Sequence, residues 1–229
     1  MSERFWKRLP RILAEGVYHK IQYDFSCNRG DAFGEIYLYS IITELLTSKL
    51  DMTQVQLSLG YAADAIQAHT NTRRKELDFA VTDRGTKDIR VCGELKWAGS
   101  SHCRPKNILI DLVRLQRVAN DAPDSICIFL LAGPKSEIAS LFKRGLLGYE
   151  FNNLLTKPLE KHLEEQSSKI QKTFRLTGNS ERQSEIDQHL IETPNDLPEK
   201  IITSPRFSTL AAPSNGRFGC HAWVVKSFC

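Results

Sequence analysis

Two short apolar segments, Leu77–Val81 and Val91–Trp97, constrain this chain more than anything else in it. Both alternate with period two and are rich in β-branched and aromatic residues, so both read as strands. The polar stretch between them, Thr82–Asp88, contains Gly85 and suits a hairpin connection. In the second strand Ile89, Val91, Leu95 and Trp97 share one parity, and Cys92, Glu94 and Lys96 share the other. Glu94 and Lys96 therefore project from one face, one strand repeat apart, with Asp78 on the neighbouring strand. Ionised side chains enter an apolar sheet only when they are paired or hold a metal.

The remaining elements follow from the same patterning. Asp31 to Leu50 reads as a helix, with Asp31 as N-cap and Leu38, Ile42, Leu45 and Leu46 as its apolar stripe. Glu35 lies on that stripe, where an acid is unusual unless it reaches a cation. Val55 to Ala63 alternates as a first strand. After the Glu94–Lys96 strand comes a loop, Ala98–Arg104. Pro105 then opens a helix to about Asn120, with Ile108, Leu112 and Leu115 inward. Ile126–Ala132 is continuously apolar, as expected of a strand covered on both faces. A strand, helix and buried strand in this order predict a parallel crossover unit. Further helices are expected at Lys135–Arg144 and around Leu159–Phe174. Residues 177–205 read as a polar loop, and Phe218–Phe228 as a closing strand.

At 229 residues, with 41% hydrophobic and 25% charged, the chain suits a single α/β domain with a packed core. No apolar run is long enough to span a bilayer, and Met1–Arg8 lacks an apolar stretch of signal-peptide type. The six cysteines form no CxxC pair, which suits reduced thiols and a cytoplasmic location. Between residues 71 and 117 eleven basic residues face six acidic ones, a surplus of five against four for the whole chain. Positive charge gathered around the carboxylate strands fits a polyanionic partner. Arg73, Arg74, Lys75, Arg104 and Lys106 are the candidate nucleic-acid contacts.

Two carboxylates on adjacent strands are enough to hold Mg²⁺, which keeps several waters of its own; Mn²⁺ is the natural substitute. Such an ion polarises a phosphoryl oxygen and lowers the pKa of a bound water. Lys96 points at the same space, able to orient or deprotonate the attacking water or to neutralise charge growing on the phosphate. His102 and Cys103 match no zinc spacing, and the other histidines form no constellation with Ser or Cys.

The order of elements and acids resembles the PD-(D/E)xK nuclease superfamily over about residues 31–132. By that resemblance the fold is restriction-endonuclease-like, a mixed central sheet flanked by helices, with residues 133–229 as an additional C-terminal helical and strand region. Asp78 is then the first-motif aspartate, Glu94 the second-motif acid and Lys96 its lysine. Glu35 is similar to the helix acid that many members carry, and joins Asp78 and Glu94 around the metal. Asp111–Leu115 looks like the helix after the lysine strand, although Asp111 itself reads as a solvated or structural residue. Leu77 stands where the signature has Pro. The resemblance implies a Mg²⁺-dependent endo- or exodeoxyribonuclease acting on DNA, in a defence or mobile-element setting, and a homodimer would suit double-strand cleavage. The alternative is a nuclease-like fold that binds nucleic acid or protein without cutting. A plainer arrangement is a Glu94–Lys96 ion pair on a wet sheet face, with Asp78 partnering Arg73 or Arg74.

Overall fold

The computed structural model describes residues 3–66, 75–141, 172–175, 200–209 and 216–227. Four helices and seven strands are defined: α1 (Glu3–Ser26), α2 (Glu35–Lys49), β1 (Val55–Tyr61), β2 (Leu77–Asp83), β3 (Ile89–Trp97), α3 (Pro105–Asp121), β4 (Ile126–Pro134), α4 (Lys135–Leu141), β5 (Lys172–Arg175), β6 (Lys200–Ser208) and β7 (Phe218–Lys226). The strands form one sheet in the order β1-β2-β3-β4-β7-β6-β5. Among the described residues only β3 and β4 run parallel; every other neighbouring pair is antiparallel. The chain is thus α/β with a mixed, mostly antiparallel sheet between helices.

Strand alternation sorts side chains into two cores. Val91, Leu95, Trp97, Ile128, Leu130 and Ala132 pack with Leu9, Leu13, Val17 and Ile21 of α1 and with Leu38, Ile42 and Leu46 of α2. Cys92, Cys127, Phe129, Leu131 and Trp223 pack on the opposite face with Ile108, Leu112 and Leu115 of α3. β4 contributes to both cores, as its unbroken apolar run requires. The β2–β3 turn is made by Asp83, whose Oδ1 accepts from the N–H groups of Gly85 at 2.8 Å and Thr86 at 3.2 Å.

Several expectations are corrected. The helix begins at Glu35 with Gly34 at its N-cap, and Asp31 falls instead in a single 3₁₀ turn, Gly30–Ala32. Phe33 is extended because its ring packs on Tyr37, Trp97 and Phe218, at centroid distances of 4.8, 5.6 and 5.2 Å. Residues 200–205, expected in a loop, are part of β6, where Ile201 and Thr203 are buried and Pro205 sits at a register shift that spares the ladder a missing donor. Residues 172–174, expected to end a helix, lie in β5; the rest of that expected helix, residues 142–144 and residues 177–199 lie outside the described residues. β7 is an interior strand between β4 and β6. α1 was not anticipated, though Leu9, Leu13, Val17 and Ile21 recur every fourth residue along it. Among the described residues no helix is long and apolar enough to cross a membrane.

Candidate active site

The pairing of β2 with β3 stops at Phe79 and Gly93, while β2 stays paired to β1 as far as Leu77 and β3 stays paired to β4 as far as Trp97. The two middle strands therefore part, and the sequence places Asp78 and Glu94 at the fork. Gly93 lets them come this close: a Cβ there would lie 2.4 Å from Phe79 Cε1 and 2.8 Å from the Ile128 carbonyl oxygen. Beyond the fork the Leu95 N–H donates to Asp78 Oδ2 at 2.6 Å, so a carboxylate takes over where the backbone ladder ends. The Tyr39 hydroxyl of α2 donates to the other oxygen, Oδ1. Asp78 is thus held from a strand and from a helix at once.

Asp78 lines an open cleft of about 500 Å³ together with Tyr39, Gly60, Lys75, Glu76, Leu77 and Arg114. Glu94 lies behind it, 1% exposed. Its Oε1 is buried without a hydrogen-bond donor among the described residues; the nearest cation, Arg114 Nη1, is 3.7 Å away. Lys96 points to the same side, as its parity with Glu94 requires, and its Nζ meets Asp111 Oδ2 at 3.1 Å. Arg114 Nη1 also lies 3.3 Å from Asp111 Oδ1. Two acids and two cations from β3 and α3 therefore interlock beneath the cleft.

Burial is the largest influence on Glu94 and, with the Asp111 and Asp78 charges, pushes its carboxyl well above the usual range against the pull of Arg114 and Lys96. Burial likewise pushes Asp111 up to about 6, against the lowering effect of Lys96 and Arg114. For Lys96 burial works downward, but Asp111, Asp78, Glu94 and Glu35 together outweigh it and hold the ammonium above its ordinary value. Burial, then the bond to Asp78, raises the Tyr39 phenol. Glu35, half-buried in the first turn of α2, accepts from Ser100 Oγ at 3.3 Å, tying α2 to the loop after β3.

Lys96 is thus within electrostatic reach of Asp78, Glu94 and Glu35, but the four do not line one open space. Asp78 opens to the cleft, whereas Glu94 is buried with Arg114 Nη1 3.7 Å from its Oε1. A Glu94–Lys96 pair on a wet face is not what forms, because Lys96 pairs with Asp111 and Glu94 is out of water. Asp111, read as solvated or structural, is 4% exposed and belongs to the cluster. Lys75 lines the cleft; Arg104 is exposed and Lys106 half-buried, and both lie outside that lining. Arg73 and Arg74 lie outside the described residues.

Tyr39, Asp111 and Arg114 were missed as site residues. The signal was present for two of them. Asp111 falls between Ile108 and Leu115 on the inward stripe of α3, and Tyr39 follows Glu35 by one helical turn.

Among the described residues no three His, Cys, Asp or Glu side chains gather closely enough to hold a metal ion. Two carboxylates suffice for a hydrated Mg²⁺, however, and the donor-less Glu94 Oε1 near Asp78 is the kind of oxygen such an ion satisfies. No family model, curated protein or solved structure matches the chain.

Proposed function

We propose that the chain is a divalent-metal-dependent nuclease of the PD-(D/E)xK type that hydrolyses phosphodiester bonds in DNA. The observation that carries this reading is the fork between β2 and β3, with Asp78 at its mouth and Glu94 and Lys96 on one face behind it. An antiparallel β1-β2-β3 meander followed by α3 and a parallel β4 is compatible with the mixed central sheet flanked by helices that the resemblance implies, and it supports the restriction-endonuclease-like assignment.

In this reading Asp78 and Glu94 would hold Mg²⁺, with Glu35 reaching it through water, and the ion when bound would supply polarisation of the phosphate and acidification of a water. Tyr39 and the Leu95 N–H fix the Asp78 carboxylate, leaving its remaining lone pairs aimed at the cleft. Lys96 stays protonated among four carboxylates, so it orients the attacking water and neutralises charge growing on the phosphate instead of removing a proton. Lys75 and Arg114 line the approach and draw in the polyanion.

Incubation with plasmid and with single- and double-stranded oligonucleotides, in Mg²⁺, Mn²⁺ or EDTA, tests the proposal. Cleavage that needs the metal and disappears in Asp78→Asn supports it. Absence of cleavage on every substrate, with the protein folded and metal present, sinks it. A second reading rests on the closed state of Glu94 and Lys96: a nuclease-like fold that binds nucleic acid without cutting. Binding that survives EDTA with no product in any metal would favour it.

A further inference from the structure

Arg114 is the only cationic side chain that both lines the cleft and touches the two buried acids of α3 and β3, among the described residues. Its Nη1 lies 3.7 Å from Glu94 Oε1 and 3.3 Å from Asp111 Oδ1, and its side chain keeps 29% of its surface exposed. Glu94, at 1% exposure, is absent from the cleft lining, while Arg114 is part of it. The contact to Glu94 is beyond hydrogen-bond range, so Arg114 places a positive charge beside that carboxyl without satisfying its oxygen. Lys96 is a different case. Its Nζ is committed to Asp111 at 3.1 Å and only 12% of its side chain is exposed.

We infer that Arg114 is a resident cation that stands in for the divalent ion beside Glu94, and that ion binding releases it into the cleft to take a phosphate oxygen. The inference rests on the proposed nuclease reading and gives this arginine two posts. In the first it is the positive charge beside Glu94. In the second the ion supplies that charge, and the guanidinium, already at the cleft wall, turns toward the substrate. Repulsion between a guanidinium and an arriving dication favours the exchange, because both cannot crowd one carboxylate oxygen. A planar fork suits the second post, since it can grip two phosphate oxygens.

The competition has a signature that a purely structural arginine lacks. In Arg114→Met, Mn²⁺ binds the DNA-free protein roughly tenfold tighter, as expected when a unit positive charge is removed within a few ångströms of the ligand. Arg114→Lys keeps the charge and stays close to the wild-type affinity. Isothermal titration with Mn²⁺, supported by the shift in melting temperature that Mn²⁺ causes, reads both. In parallel, Arg114→Met binds oligonucleotide in Ca²⁺ more weakly and with a shallower salt dependence. Equal or weaker Mn²⁺ binding by Arg114→Met overturns the inference while the nuclease reading stands. No Mn²⁺ binding by the wild type, with Glu94→Gln unchanged from it, overturns both. Should Arg114→Met fail to fold, Arg114→Gln and Arg114→Lys carry the same comparison, because they differ in charge but both retain polar reach.

Discussion

The Leu95 N–H donates to Asp78 Oδ2 at 2.6 Å, at the point where β2 and β3 cease to pair. A side chain therefore replaces a main-chain acceptor at the fork, and the same aspartate faces the cleft. Structure and proposed chemistry share one carboxylate.

Replacing Asp78 by Asn tests that sharing. The amide can still accept from Leu95 through its oxygen, so stability should drop by only about 1–2 kcal/mol, the range for a weakened bond to a formerly charged acceptor. Metal-dependent cleavage should fall by roughly a thousandfold or more if Asp78 holds the ion, a scale consistent with losing a group that acts on the transition state. Thermal melts and a cleavage time course measure the two separately.

Tyr39→Phe removes only the hydroxyl that donates to Asp78 Oδ1. The ring remains, so the fold is kept at a cost of roughly 1–3 kcal/mol for a charge-assisted bond. Cleavage should slow about tenfold to a hundredfold, the effect usual for a residue that orients a metal ligand. A shift in the metal concentration needed for half-maximal rate identifies that role, and an unchanged requirement would remove it.

Lys96 and Asp111 should be coupled, since they meet at 3.1 Å with little exposure on either side. Lys96→Met leaves Asp111 with Arg114 alone and should destabilise by about 3 kcal/mol, the low end for breaking a buried pair. Adding Asp111→Asn should restore part of that loss, giving a coupling on the order of 1–3 kcal/mol in a double-mutant cycle from urea unfolding. Strict additivity would count against the pair. Cleavage should be absent in both variants that lack Lys96.

Glu94 and Asp111 also set a pH dependence. Both carboxyl groups are raised in the folded chain, so the folded state holds more protons than the unfolded one once the pH passes the ordinary carboxylate range. The contribution of these two groups therefore falls as pH rises, from about 4 through about 6 for Asp111 and over a higher range for Glu94. Glu94→Gln removes its share. Relative to wild type, the metal-free variant should gain stability as the pH rises from 5 to 8. Denaturant melts at both pH values in EDTA check this, and a parallel pair of profiles would refute it.

Gly93→Ala should disturb fold and site together. The added methyl would meet Phe79 Cε1 at 2.4 Å and the Ile128 carbonyl at 2.8 Å, and a carbonyl fixed in a parallel ladder cannot withdraw. A loss of about 1–3 kcal/mol is expected for such overpacking. A melting temperature equal to wild type would mean that β3 tolerates the shift.

Period and parity alone determined much of this protein. They located β1 through β4 and α3 to within a few residues, put Glu94 and Lys96 on one face, and marked Glu35 as an acid on an apolar stripe. These are local properties: a strand alternates and a helix repeats whatever surrounds them. The tertiary structure decided what distance along the chain conceals. Phe33, packing on Trp97 and Phe218, delayed the start of α2, and pairing with β7 drew residues 200–205 from an expected loop into β6. Above all it decided who partners whom. Lys96 lies two residues from Glu94 yet pairs with Asp111, and Arg114 comes within 3.7 Å of Glu94, because α3 crosses that face and charges leaving water settle on whichever opposite charge the packing brings near.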